Sequence, residues 1–415
     1  MKRLIVLFAS LLVVLGLAAC SGSGDGKTKI TYGYWDDKQT DFLKKSIEVF
    51  NKDHPDIEVV LEITPYGEYF TKLDAAATGG GLPDVFWMNG PNLIKYASND
   101  MLEPLTDNIK EDGLDLNPYP EALVDLYNYD GNQYALPKDF DTNALWYNKE
   151  LFDEAGVDYP NENWEWDDLV EAAKELTDPA KDVYGIAAYM QSGQASFWNL
   201  IFSNGGYVIS DDKKKSGFDD PKTIEALQLY HDLIHVHEVS PTHAQVESTS
   251  GTELFESGKV AMIIHASYYT PMFKDHDYLK DVADVAPLPK MNGGRSNVIH
   301  GLGNVISSKS KEKEAAWEFV KFLASKEAQT IQAEGGLIST YEGTQDAWLE
   351  SAPQFNLEVF LEAADYAQPY PISKDVGAWH SIMLEEIAKA WDGQKSVEEA
   401  ALKIAEEMDA ILAED

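Results

Sequence analysis

The sequence predicts an α/β protein built as two or three compact lobes, and three observations carry that expectation. The chain has 415 residues, enough for more than one hydrophobic core. It is 44% apolar and 25% charged, which is a globular mixture rather than a disordered or fibrous one. From about residue 28 onward, stretches of alternating hydrophobicity take turns with stretches of helical spacing. At the N-terminal end the order is strand, helix, strand, helix, strand, which argues for a parallel sheet with right-handed crossovers.

The elements follow in order. Ile30, Tyr32 and Tyr34 alternate with Thr31, Gly33 and Trp35, which predicts a strand. Phe42, Leu43, Ile47 and Phe50 fall at helical spacing, and the Asn51–Pro55 segment stops that helix. Val59, Leu61 and Ile63 alternate again, and a helix over about Tyr66–Ala77 ends at Gly79-Gly80-Gly81. Pro83-Asp84-Val85-Phe86-Trp87 reads as a short buried strand. A second α/β region begins near Asp141, with buried strands at 183–187 and 259–264. A third returns to strand at Val305-Ile306 and to helix at Ala316, Phe319, Val320 and Leu323. The closing amphipathic helix carries Val397, Ala400, Ala401, Ile404, Met408 and Ile411 on one face.

Charge and the N-terminus narrow the setting. Asp and Glu total 71 against 33 Lys and Arg, a formal net charge of −38. Such a body repels phosphate backbones, so nucleic acid is excluded as a partner, as is adhesion of the folded body to anionic lipid. Lys2 and Arg3 precede an apolar run from Leu4 to Ala19. A run of about 16 residues falls short of the roughly 20 that span a bilayer, so this is an export signal rather than an anchor helix. The ending Leu17-Ala18-Ala19-Cys20 resembles the lipobox of bacterial lipoproteins, in which the cysteine carries diacylglycerol and becomes the mature N-terminus. The competing reading is ordinary signal cleavage with Cys20 incidental. Cys20 is the only cysteine, so no intrachain disulfide or cysteine-built metal site is expected. Ser21-Gly22-Ser23-Gly24-Asp25-Gly26 has the composition of a flexible tether.

Catalytic signatures are missing. The sequence holds no GxxxxGK[ST], no HExxH and no GxSxG. Asp130-Gly131, between Tyr129 and Tyr134, reads as a hairpin turn rather than part of a calcium loop. His231 and His235, with His237 and His243 nearby, have spacing that would suit a metal. A solvated helix end before Pro241 explains them as well, since imidazoles suit the negative end of the helix dipole, and this reading is preferred. No cofactor and no metal is expected. With 71 acids, a glycosidase-like carboxylate pair could be drawn anywhere and carries little weight.

The chemistry that is present is aromatic and acidic. Trp35 ends the first strand beside Asp36 and Asp37, and Trp87 ends the third, followed by Asn89. Trp198, Tyr268, Tyr269 and Trp379 fall in loops or at element boundaries. A flat ring covers the C–H face of a pyranose while Asp and Asn bond its hydroxyls, and ligands of parallel α/β sheets bind at the carboxyl ends of strands. Core packing is the competing explanation for each tryptophan taken singly.

Four segments carry a family resemblance: Leu82–Trp87; Tyr134–Pro137 through Leu145–Lys149; Asn204-Gly205-Gly206; and Gly258–Met262 followed by His265–Tyr268. In this order and spacing, over essentially the whole mature chain, the sequence resembles the extracellular solute-binding proteins of ABC importers, the large family that includes maltose-binding protein. The resemblance implies a two-lobe periplasmic-binding-protein fold of type II, each lobe a mostly parallel sheet flanked by helices, with ligand trapped between the lobes. Crossings are expected near Asp139–Asp141, Gly301–Asn304 and Leu337–Tyr341. The implied organisation is a signal peptide at 1–19, an anchor and tether at 20–27, one lobe at 28–139 with 304–338, and the other at 140–303 with 339–415.

By the same resemblance, Trp87 and Trp379 match stacking tryptophans, Asp141 matches an acidic residue that bonds sugar hydroxyls at the hinge, and Tyr268 falls where the family often has a stacking tryptophan. The candidate carbohydrate-binding set is Trp35, Asp36, Asp37, Tyr66, Trp87, Asn89, Asp139, Asp141, Trp198, His265, Tyr268, Gly301 and Trp379. The implied protein is a monomeric non-enzyme on the outer face of the bacterial membrane, leashed through Cys20, that passes a sugar or oligosaccharide to a permease. Two other readings stay open. Tyr268-Tyr269 with His265 is similar to ferric-iron receptors and the acids with aromatic boxes would suit a polyamine, while a secreted glycoside hydrolase remains a third class.

Overall fold

The computed structural model describes residues 26–190, 193–292 and 294–414. The signal segment, Cys20 and tether residues 21–25 lie outside the described residues.

β1 (Thr28–Tyr34) leads through a helix at Thr40–Asp53 to β2 (Ile57–Ile63), and a helix at Tyr66–Gly79 leads on to β3 (Val85–Asn89). β1 lies between the other two and runs parallel to both, the arrangement that two strand–helix–strand units predict. Phe42, Leu43 and Phe50 face the core from the first helix. Gly80 closes the second with φ of 70°, a left-handed conformation that glycine adopts without penalty. β4 (Asn128–Tyr129) and β5 (Asn132–Gln133) form a hairpin whose turn residues, Asp130 and Gly131, both have positive φ, as a type I′ turn demands.

β6 (Ala135–Asp141) and β7 (Asn143–Asn148) are separated by Thr142 alone, yet they belong to different sheets. β8 (Tyr184–Ala187), β9 (Val260–Ala266) and β10 (Ala283–Ala286) join β7 in a four-stranded sheet of order β10-β7-β9-β8. β11 (Asn297–Ile306) and β12 (Ala367–Pro369) return to the first sheet, of order β12-β11-β3-β1-β2 with β6 also paired to β11.

The pairings correct one expectation. In the second sheet only β8–β9 is parallel, and β7 runs antiparallel to both neighbours. β7 arrives directly from the first sheet rather than through a helical crossover, so nothing forces it parallel. β11 is also longer than Val305-Ile306, because residues 297–304 hold two glycines and several polar side chains and do not alternate.

Three chain segments run side by side at the β6–β11 side of the first sheet. His300, Gly301 and Leu302 on β11 face Asp141, Phe140 and Asp139 on β6, with a register shift before Gly303. Phe140 N–H donates to the Ile338 carbonyl at 3.2 Å, and Asp139 bridges to Ser339. Gly301 is required there, since a Cβ would stand 2.1 Å from the Asp139 carbonyl oxygen. The C-terminal helix Val397–Leu412 starts on a capping box between Ser396 and Glu399, and it buries Val397, Ala400, Ala401, Ile404 and Met408, with Ile411 half-buried.

Candidate functional site

The carboxyl end of β1 delivers Trp35 into a cluster of rings. Its indole stands edge-on to Trp87 at 5.0 Å and to Tyr69 at 4.9 Å, with Tyr66 at 5.4 Å. Trp35 is half-buried and Tyr66 is 58% exposed, so these two are the rings the first lobe presents.

Trp87 itself is fully buried, which corrects its expected role as a stacking platform. β3 lies between β1 and β11, and the ring is enclosed on every side. Its Nε1 donates to the Tyr32 hydroxyl at 2.7 Å, which donates to Asn304 Oδ1 at 2.6 Å, and the Lys138 ammonium sits 4.3 Å from the ring centroid. Cation and quadrupole attract strongly in such a dry setting. Trp87 therefore supports Trp35 from behind.

The acids and amides near these rings divide the same way. Asn89 caps the helix Gly90–Ser98 by accepting from Asn92 N at 3.2 Å and Asn92 Nδ2 at 2.8 Å. Asp36 caps the turn Asp37–Gln39 through Lys38 N at 3.1 Å and Gln39 Nε2 at 3.0 Å. Asp37 is exposed beside it. Asp139 is buried and occupied at both oxygens, by Lys138 at 2.6 Å and by Leu302 N at 2.9 Å. Its work is to pin β6 to β11, and Gly301 serves the same junction by accepting from the Tyr127 hydroxyl at 2.6 Å. Neither offers a free atom for a ligand.

Asp141 differs. It ends β6, its side chain is 13% exposed, and Gln194 Nε2 donates to Oδ1. Among the described residues no lysine or arginine pairs with it, and His300 Nδ1 is 4.0 Å from Oδ2. Burial first, and then the Asp139 charge, push its carboxyl well above the usual range, while the Gln194 bond pulls the other way. Among the described residues Oδ2 accepts no hydrogen bond, and such an ionised carboxylate is a strong acceptor for a hydroxyl.

Tyr268 follows β9 and is 46% exposed. Burial, then Asp141, Tyr269 and Tyr66, raise its phenol pKa; burial first, and then Tyr66 and Asp141, raise that of Tyr370. These mutual effects mean that Tyr66, at the start of the helix after β2, and Asp141, at the end of β6, both lie near Tyr268 and near Tyr370, which follows β12. His265 is buried beneath Tyr268 and Tyr269, with Nε2 3.1 Å from Thr252 Oγ1 and Nδ1 accepting from Ala266 N at 3.1 Å. Burial drives its pKa down to about 3, so the imidazole is neutral scaffold rather than a ligand contact.

Trp198 and Trp379 are likewise fully buried, contrary to their expected stacking role. Gly193 lies so close to the Trp198 ring that a Cβ would fall 1.9 Å from it, and Tyr370 meets Trp198 edge-on at 5.0 Å. Trp379 donates from Nε1 to Ser373 Oγ at 3.1 Å and stands 6.3 Å from Trp198. The two tryptophans back Tyr370 as Trp87 backs Trp35.

No motif or spacing points to Gln194, His300 or Tyr370, which the fold brings to Asp141 from distant segments. Among the described residues, no group of three or more His, Cys, Asp or Glu is placed to hold a metal ion. His231 and His235 stack at 4.3 Å in the last turns of the helix Pro221–His235, and His235 meets the Trp391 carbonyl at 2.8 Å, whereas His243 opens the next helix and meets Asp392 at 2.8 Å, so the helix-end reading describes the first two and not the third. No described helix is long and apolar enough to cross a membrane.

A family model described as bacterial extracellular solute-binding protein matches residues 36–330. An arabinooligosaccharide-binding protein of Halalkalibacterium halodurans is 27% identical over 318 residues, covering 72% of this chain and 67% of that one. A maltotriose-binding protein of Pyrococcus abyssi is 27% identical over 367 residues, covering 84% and 74%. Among solved structures, an ABC substrate-binding protein of Listeria monocytogenes in complex with cycloalternan superposes with a TM-score of 0.85 at 28% identity, covering 93% of this chain and 99% of that one. The GacH receptor of Streptomyces glaucescens, solved unliganded and with acarbose, gives 0.81 at 26% identity, covering 93% and 99%. The α/β fold of this chain is the fold of these two-lobe binding proteins.

Proposed function

The chain belongs to the bacterial extracellular solute-binding protein family, and from that premise we propose that it is a non-catalytic receptor that captures a sugar or oligosaccharide and delivers it to an ABC importer. Residues 28–139 with 304–338 would form one jaw and 140–303 with 339–415 the other, with β12 and the first part of β11 crossing back to pair in the first sheet, and the ligand sits against the three crossings. One observation supports the reading most: Trp35 and the exposed Tyr66 stand together, the exposed Tyr268 lies within electrostatic reach of Tyr66 and Asp141, and Asp141 Oδ2 accepts no hydrogen bond among the described residues. Rings cover the apolar faces of a sugar while the carboxylate takes a hydroxyl. The relatives named for oligosaccharides support the same class.

Calorimetry with maltotriose, an arabino-oligosaccharide and cycloalternan tests it, with spermidine and ferric ion as competitors. Micromolar binding of a sugar is expected, about −8 kcal/mol, tight enough to capture and loose enough to release. Small-angle scattering with that sugar should show a smaller radius of gyration, as closure selects the liganded state. Spermidine or iron binding without any sugar binding would refute the reading. Anchoring through diacylglycerol on Cys20 belongs to the same proposal: Cys20→Ser should release the exported protein from the membrane, and retention of that variant would remove the anchor.

A further inference from the structure

We propose that His300 reads a ligand hydroxyl jointly with Asp141, so that this pair decides which hydroxyl configuration the cleft accepts. The proposal rests on the sugar reading and names a residue that makes the site selective. His300 lies on β11 directly opposite Asp141 on β6, so the two side chains are fixed by strand register rather than by a loop. The imidazole is 9% exposed and packs against the Tyr370 ring at 4.8 Å. Its Nε2 is buried with no hydrogen-bond partner among the described residues. Its Nδ1 is 4.0 Å from Asp141 Oδ2, too far for a direct bond.

That gap suits one oxygen. A hydroxyl oxygen set to one side of the line joining the two atoms can stand about 2.8 Å from each, donating to the carboxylate and accepting from the ring N–H. Asp141 cannot turn away to find another partner, because Gln194 holds its other oxygen. Gln194 is held in turn: Asn199 Nδ2 donates to its carbonyl at 2.6 Å, and Asn199 Oδ1 accepts from Val298 N at 2.9 Å, two residues before His300. Burial holds the His300 pKa down to about 4, so near neutral pH the ring is uncharged, with one donor nitrogen and one acceptor nitrogen. A site that leaves buried polar atoms waiting for a hydroxyl discriminates sharply against ligands that lack it.

The test uses the intact protein and whichever of maltotriose, an arabino-oligosaccharide or cycloalternan binds. His300→Phe keeps a ring against Tyr370 but removes both nitrogens, and should weaken binding about tenfold while the empty protein's melting temperature stays within a few degrees. His300→Gln restores a donor and an acceptor and should recover part of the affinity. With Asp141→Asn the losses should be less than additive, because both residues grip the same hydroxyl. Among mono-deoxy analogues of the sugar, one should bind weakly to the wild type yet lose nothing further on His300→Phe. Wild-type affinity in His300→Phe overturns the inference alone, as does a loss that His300→Gln fails to restore and that tracks a fall in melting temperature. If the wild type binds none of the sugars, the proposed function fails and this inference fails with it.

Discussion

Asp141→Asn should stabilise the empty protein while weakening its grip on sugar, and the two effects have one cause. The carboxylate is buried, has one donor in Gln194 and has no cation within ion-pair distance among the described residues. Keeping it ionised costs free energy that a neutral amide of the same shape avoids, and Asn Oδ1 still accepts from Gln194. Removing an under-satisfied buried polar group is worth about 1–3 kcal/mol. At about 2 cal/mol/K per residue, a folded body of roughly 390 residues should melt about 1–4 °C higher.

The pH dependence gives the sign. The carboxyl pKa is higher folded than unfolded, where it is about 3.9, so between those values the native state holds the extra proton. The wild type therefore loses stability through this group as pH rises from the unfolded value through the raised folded one. Asn has no such loss. In calorimetric scans of the empty proteins from acid to alkaline pH, the variant's advantage should be absent near pH 4 and open as pH rises. In the loaded protein, at pH above the raised folded pKa, exchanging a charged acceptor for a neutral one should cost about 1–2 kcal/mol, roughly five- to thirtyfold in affinity. A variant less stable than the wild type at neutral pH, or an advantage that ignores pH, would refute the reasoning.

Tyr66→Ala and Tyr268→Ala, at exposed rings, should each weaken sugar binding about tenfold and barely move the melting temperature, read by calorimetry in both modes. Trp87→Ala should lose about 3–5 kcal/mol of stability in denaturant titrations, because the ring is fully buried and holds both the Tyr32 hydroxyl and the Lys138 ammonium. Gly301→Ala should lower the melting temperature of the empty protein, since the new methyl meets the Asp139 carbonyl at a crossing. A fully stable Gly301→Ala would mean that β6 and β11 separate there at little cost.

The N-terminal half of the first lobe was legible because its signals are local. Alternation at Ile30–Tyr34 and Val59–Ile63, helical spacing at Phe42–Phe50 and the glycines at 79–81 each specify one element, and the parallel β2-β1-β3 order follows. The second sheet was less legible: alternation identifies a strand without saying which neighbour it meets or in which direction. The tryptophans show the same limit more sharply. Trp35 and Trp87 both end a strand beside polar residues, and nothing near either in sequence separates a platform from its support. The difference is set by position across the sheet, because β3 has β11 beside it while Trp35 stands beyond the end of β1. The Gln194–Asp141 and His300–Asp141 contacts join segments 53 and 159 positions apart, and no spacing rule reaches that far.

The buried rings still bear on binding, though without touching sugar. A ring free to rotate must be immobilised when ligand arrives, at about 0.5–1.5 kcal/mol per side chain. Trp35 is braced edge-on by Trp87 and Tyr69, and Tyr370 by Trp198, with Trp379 behind that. Much of that ordering is already done when the protein folds. The same layering reaches the polar groups around Asp141, since Tyr370 packs on His300 and Gly193 closes on Trp198 one residue before Gln194. Around Tyr370, aromatic support and hydrogen-bonding atoms are therefore packed together. It follows that truncating Trp198 or Trp379 should disturb selectivity among sugars as well as stability, through the position of His300 and Asp141 rather than through lost stacking.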